Sequence, residues 1–157
     1  MNTAVIFAGG TGKRMNTKSV PKQFLELHGK PVIIYTDEKF DNHPEIDQIV
    51  LVCLESWIPY AKKLLAKFQV TKVTDVVSGG KTGQESIYNG IAAAHRLSSD
   101  VSDVVLIHDG VRPMIDENTI TSCLSCVREH GNAITTTPAI ETIFVNGQDG
   151  QVGDIFN

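Results

Sequence analysis

Residues 3–23 read TAVIFAGGTGKRMNTKSVPKQ, and the fold turns on a change of character inside them. Ala4-Val5-Ile6-Phe7-Ala8 is an apolar run of strand length, bounded by turn residues. It gives way at once to Gly9-Gly10-Thr11-Gly12. Without Cβ atoms, such a loop lets backbone N–H groups approach an anion closely. Lys13, Arg14, Lys18 and Lys22 follow, and cations just after a glycine loop suit phosphate. A buried strand feeding an anion-binding loop points to an α/β fold with a nucleoside-triphosphate site. A tight turn that merely needs glycine would read the same, and any one of the cations alone could simply be solvated. The loop is not a P-loop, because no Ser or Thr follows Gly12-Lys13 at the required spacing. Nor is it a dinucleotide fingerprint, because Met15 stands where the third glycine belongs.

The rest of the chain frames that stretch. It has 157 residues, 41% hydrophobic and 20% charged, as expected of one soluble domain with a real core. No apolar run approaches the roughly 20 residues that span a bilayer, and no signal peptide is expected. Three cysteines suggest no disulfide framework, so a cytoplasmic setting is expected. A net charge of −4 argues against nucleic acid as a partner. Residues 1–30 nevertheless carry five basic side chains and one acidic, a patch suited to a small anionic ligand.

Outward from the first loop, strand and helix patterns alternate. Residues 21–27 read as extended or irregular, with a turn at His28-Gly29-Lys30. A helix is expected from Pro31 to about residue 41, a doubly covered strand over Ile46–Leu54, a helix over Trp57–Phe68 and a weaker strand over Val70–Val77. Gly79-Gly80-Lys81-Thr82-Gly83 is a second glycine loop, before a helix from Gln84 to Leu97. A strand over Val101–Ile107 leads into His108-Asp109-Gly110-Val111-Arg112-Pro113. Asp116 can cap a helix to about His130, and a fifth strand is expected over Ala133–Thr137. Residues 141–157 read as a hairpin with turn signals at Asn146-Gly147 and Asp149-Gly150. Such alternation predicts a mostly parallel sheet with helices on both faces. The loops at 9–14, 79–83 and 108–113 all follow strands, so they should converge at the carboxyl edge, where ligands bind.

His108, Asp109 and Arg112 within five residues of a strand end suggest a site, although a local Asp–Arg pair beside a helix cap would look the same. The second loop could be plain turn chemistry. Cys123-Leu124-Ser125-Cys126 has CxxC spacing but lies inside an expected helix without a second pair, so packing is favoured over metal or redox use.

Taken together, AGGTGKRM, PKQF, the Gly79-Gly80 loop with Ser86-Ile87-Tyr88-Asn89-Gly90, and HD-x-x-RP resemble the cytidylyltransferases that act on small polyol phosphates. The resemblance runs over essentially the whole chain. Its two near branches act on methylerythritol 4-phosphate, in isoprenoid synthesis, and on ribitol 5-phosphate, for cell-wall and capsule polymers. The longer spacing of Arg14 and Lys22, and HDGVRP where the first branch generally has HDAARP, lean toward ribitol.

The resemblance implies a three-layer Rossmann-like nucleotidyltransferase fold, with a core over 1–139 and the start of a projecting β-arm over 140–157. It implies Arg14 and Lys22 as catalytic cations, and Ala8, Gly9, Gly10, Thr11, Gly12 and Lys13 around the triphosphate of CTP. Gly79, Gly80 and Ser86 would meet cytosine and ribose. Asp109, Arg112 and Thr142 would meet the polyol phosphate, with Asp109 also toward Mg²⁺. A homodimer through the arm is implied, with no nucleic-acid or membrane partner. Gly83 stands where the family commonly has Arg, leaving Lys81 to substitute in part. The family also runs on past the position of Asn157, so further residues are expected. Rival readings are a related nucleotidyltransferase using another NTP or a hexose 1-phosphate, a non-catalytic nucleotide-binding module, and, more remotely, a Rossmann oxidoreductase.

Overall fold

The computed structural model describes residues 1–9, 20–98, 100–138, 143–146 and 152–156. Four strands form one parallel sheet: β1 (Asn2–Ala8), β4 (Gln48–Cys53), β5 (Val73–Ser78) and β6 (Val104–Asp109), in the order β5-β4-β1-β6. Two antiparallel pairs stand apart from it. One is β2 (Glu26–Leu27) with β3 (Lys30–Pro31); the other is β7 (Ile143–Asn146) with β8 (Val152–Phe156), the expected hairpin. The helices are α1 (Val32–Asp41), α2 (Ile58–Lys67), α3 (Gly83–Leu97) and α4 (Glu117–His130).

Strand alternation sorts the core into two layers. Ala4, Ile6 and Ala8 of β1 and Ile49 and Leu51 of β4 face α1, α2 and α4 through Ile33, Phe40, Leu64, Ile120 and Leu124. Val5, Val50 and Val52 face the other way, onto Ala93 and Ala94 of α3. Every residue of β4 is buried, which is why the sequence there shows no alternation. α3 lies close to the sheet because Gly90 has no Cβ; one added there would collide with Val5 and Val52. The result is the three-layer arrangement expected of the chain.

The strand over Ala133–Thr137 is a correction, since those residues are neither helix nor strand. They are mostly exposed, and the described sheet stops at β6, where Val105 and Ile107 remain exposed. β-propensity makes a strand only where a neighbour offers a ladder. The strand expected from Val101 starts instead at Val104 and runs through Asp109; Val101 is a fully exposed turn residue. Asp116 caps α4 as expected, its Oδ1 accepting from Thr119 N at 2.7 Å. No helix among the described residues is long and apolar enough to cross a membrane.

Candidate active site

The chain visits β1, then β4 and β5 on one side, and returns to β6 on the other. The order therefore reverses beside β1, and a crevice opens outside the strands' carboxyl ends at such a point. A cleft of about 360 Å³ lies there, with Ala8, Gly9, Lys22, Gly80, Ser86 and Asp109 in its lining.

Gly9 and Gly79 bring two backbone segments together over Ser86. A Cβ on Gly9 would stand 2.8 Å from Ser86 Oγ, and one on Gly79 would stand 3.3 Å from Gly9 Cα. Any side chain at either position would fill the cleft floor. Buried Ser86 is fully used: its Oγ donates to Thr82 O at 2.9 Å and accepts from Gly80 N at 3.0 Å. Gly79 N donates to Cys53 O at 2.8 Å, and Asn89 Nδ2 to Ser78 O at 3.1 Å. The second glycine loop is thus locked to β4 and to the first turns of α3. Thr82 caps that helix, accepting from Glu85 N at 3.1 Å while the Glu85 carboxylate takes Lys81 N, a variant of the capping box. The helix start, with its partial positive charge, lies at the cleft.

Lys22 opens the 3₁₀ turn Lys22–Phe24. Buried Gln23 ties this turn to the end of β1, donating from Nε2 to Ala8 O at 2.6 Å. Asp109 ends β6; its Oδ1 accepts from Val111 N at 3.1 Å and its Oδ2 from Arg112 Nε at 3.4 Å. The local Asp–Arg pair is therefore real, and Asp109 still lines the cleft. Arg112 does not: its side chain is 77% exposed and borders an adjoining cleft with Phe40 and Met114.

His108 is the departure from the expected cluster. It pairs in register with Ile6 rather than Phe7, so it points to the α1 side, 5.1 Å from the Phe40 ring. Its Nε2 lies 3.0 Å from Arg112 O, a contact that braces the loop, and burial lowers its pKa against the opposing pull of that contact. Gly110 follows, where a Cβ would stand 2.5 Å from Ile33 Cδ1 and 3.0 Å from Ala8 Cβ. The glycine in HDGVRP thus has a packing reason.

Gly10, Thr11, Gly12, Lys13, Arg14 and Thr142 lie outside the described residues. Sequence reasoning gave no role to Gln23 or Thr82. A glutamine inside an apolar PKQF segment was the available signal for the first, and Thr three residues before Glu85 for the second. Among the described residues no group of three His, Cys, Asp or Glu side chains is placed to hold a metal. Cys123 and Cys126 are half-buried free thiols on α4. Buried Cys53 has its thiol pushed up to about 11, by burial first and then by Asp37, so it is no nucleophile.

The profile of the family described as IspD, 2-C-methyl-D-erythritol 4-phosphate cytidylyltransferase, matches residues 2–156. The chain is 52% identical over 155 residues to the ribitol-5-phosphate cytidylyltransferase of Vibrio parahaemolyticus, covering 99% of this chain and 65% of that protein. It is 40% identical over 147 residues to the 2-C-methyl-D-erythritol 4-phosphate cytidylyltransferase of Clostridium botulinum, covering 94% and 62%. The crystal structure of 4-diphosphocytidyl-2C-methyl-D-erythritol synthase from Anaerococcus prevotii superposes with a TM-score of 0.77 at 28% identity, covering 97% of this chain and 61% of that one. The chain thus spans just under two thirds of the length of these relatives. With a profile match along almost its whole length and the same fold, it belongs to the IspD cytidylyltransferase family.

Proposed function

We propose that this chain carries the CTP site of an enzyme that transfers the cytidylyl group from CTP to ribitol 5-phosphate, releasing pyrophosphate. The observation that carries this reading is the convergence of Gly9, Lys22, Gly80, Ser86 and Asp109 on one cleft at the strand ends. Their order in the chain matches the motif order of the family.

A phosphate oxygen of the polyol phosphate attacks the α-phosphorus of CTP, and the bond to the β-phosphate bridging oxygen breaks in line. The nucleophile is already an anion, so no general base is needed. The protein holds two anions together and offsets charge on the transition state. Lys22 supplies that charge from the 3₁₀ turn, with Arg14 as its partner. Gly9 and the segment through Lys13 cradle the triphosphate. The Gly79–Gly80 loop, held by Ser86, meets cytosine and ribose; Asp109 meets the polyol phosphate from the cleft, Arg112 from the adjoining cleft beside it, and Thr142 completes the set. Among the described residues the cleft holds one carboxylate, Asp109, and it fits Mg²⁺, which is usually held by one or two carboxylates plus substrate phosphates. When bound, Mg²⁺ would neutralise phosphate charge. The same reading makes the protein a cytoplasmic homodimer joined through an arm that begins near residue 140, beyond a core over 1–139, without nucleic-acid or membrane partners.

Ribitol 5-phosphate is preferred because of the 52% identity to the Vibrio relative. The second reading, methylerythritol 4-phosphate, is supported by the family description and the Clostridium relative. Pyrophosphate release with CTP and Mg²⁺ tests both: turnover with ribitol 5-phosphate and little with methylerythritol 4-phosphate is expected. The reverse preference selects the second reading. CTP binding without release from either substrate sinks both in favour of a non-catalytic module.

A further inference from the structure

Lys22 has to be held in the cleft, yet it sits on a turn of only three residues. A 3₁₀ piece of that length has poor hydrogen-bond geometry and little stability of its own. Its backbone bonds are local, Phe24 N to Pro21 O at 2.9 Å and Leu25 N to Lys22 O at 3.2 Å. Contacts from elsewhere in the fold hold it, two of them specific in geometry. On the cleft side, Gln23 reaches Ala8 O. On the far side, Phe24 is only 3% exposed and stacks on Trp57, with centroids 4.9 Å apart and planes 14° apart. Tyr60 stands edge-on to both rings, 5.5 Å from each.

Trp57 closes the 3₁₀ turn Glu55–Trp57 that leads from β4 into α2, and Leu54, just before that turn, is itself in the cleft lining. The stack therefore joins the segment carrying Lys22 to the end of a central strand. Stacked and edge-on aromatic pairs attract beyond their burial and fix relative orientation.

We propose that Trp57 is a positioning residue for Lys22: by stacking on Phe24, its indole holds the Lys22–Phe24 turn so that the ammonium stays in the cleft. The inference rests on the reading of that cleft as a CTP site. Displacement of a reacting group by about 1 Å can lower turnover about a hundredfold, so a side chain outside the cleft can govern the rate.

The test compares kcat and KM for CTP in wild type, Trp57→Ala, Trp57→Phe, Lys22→Ala and the double variant Trp57→Ala/Lys22→Ala. Trp57→Ala is expected to lower kcat about tenfold or more while changing KM less than about threefold. Trp57→Phe, which keeps a stacking ring, should recover most of the rate. In the Lys22→Ala background, Trp57→Ala should have no further effect, because both act through one group. The same fold-loss in both backgrounds, or a loss confined to KM, overturns the proposal. Leu124→Ala, in the buried face of α4, controls for stability; an equal kcat loss there also overturns it. If wild type releases no pyrophosphate at all, the functional reading fails by itself. The positioning role is then read from the Lys22 side-chain ammonium NMR resonance. It should narrow in Trp57→Ala and not in Trp57→Phe, and an unchanged line width in both overturns it.

Discussion

Asp37 brings a carboxyl group into the core, fully buried, with neither oxygen hydrogen-bonded among the described residues. Burial, then Asp41 and Glu38, raise its pKa well above 3.8. A raised carboxyl favours the proton in the folded state, so the sign is opposite to that of a salt-bridged Asp. The stability it allows is present at low pH and is lost as pH climbs from 3.8 toward the raised folded value. Asp37→Asn should therefore raise the Tm at pH 8, with the gain shrinking steadily as the pH is lowered. A gain that is independent of pH, or a loss at pH 8, would show that the carboxyl is not protonated in the native core. Ser86 invites a different change. Its hydroxyl shapes the glycine loop through Gly80 N and Thr82 O, so Ser86→Ala, which removes both bonds, should raise the KM for CTP by about tenfold and lower kcat less. Steady-state kinetics with varied CTP distinguishes this from the reverse pattern, which would place Ser86 in transition-state stabilisation. Lys22→Ala should instead reduce kcat by about a hundredfold or more without unfolding the protein, as checked by circular dichroism beside the rate.

At the scale of one element, α3 holds two glycines that should respond in opposite ways. Gly83 opens the helix, and a Cβ there meets nothing within 4 Å. Gly83→Ala should stabilise by about 0.5–1 kcal/mol, mostly by restricting the unfolded chain. Gly90 faces the sheet, and a Cβ there would collide with Val5 and Val52. Gly90→Ala should destabilise by about 1–3 kcal/mol despite alanine's better helix propensity, because the helix must move off the sheet. Urea titrations of the two variants give both signs in one experiment. α4 shows that end signals were legible where they are local. Asp116 caps it, and Gly131 ends it in the left-handed region at φ 81°, as helix-end chemistry requires.

For the whole molecule, a ligand that binds only the native state stabilises it by mass action. CTP with Mg²⁺ at about a hundred times its Kd should raise the unfolding free energy by about 2.7 kcal/mol. ATP at the same concentration should raise it far less, and equal shifts would remove the cytosine selectivity. The alternation of strands with helices, the layered class and the meeting of Gly9, Gly80 and Asp109 at the strand ends followed from hydrophobic period and glycine position, because these depend on neighbours along the chain. Lys22 and Asp109 were legible as candidates only through the combination of motifs, since each glycine loop or charge alone had a structural reading, and the cleft brings both to one place. Two outcomes depended on tertiary structure instead. Ala133–Thr137 has strand-like residues but no ladder in the described sheet, because a strand exists only by pairing with a partner distant in sequence. His108 and Asp109 are adjacent, yet strand pleating sends one toward Phe40 and the other into the cleft. Which of the two faced the cleft was set by the register of β6 against β1, and register is a property of two strands together, not of either sequence alone.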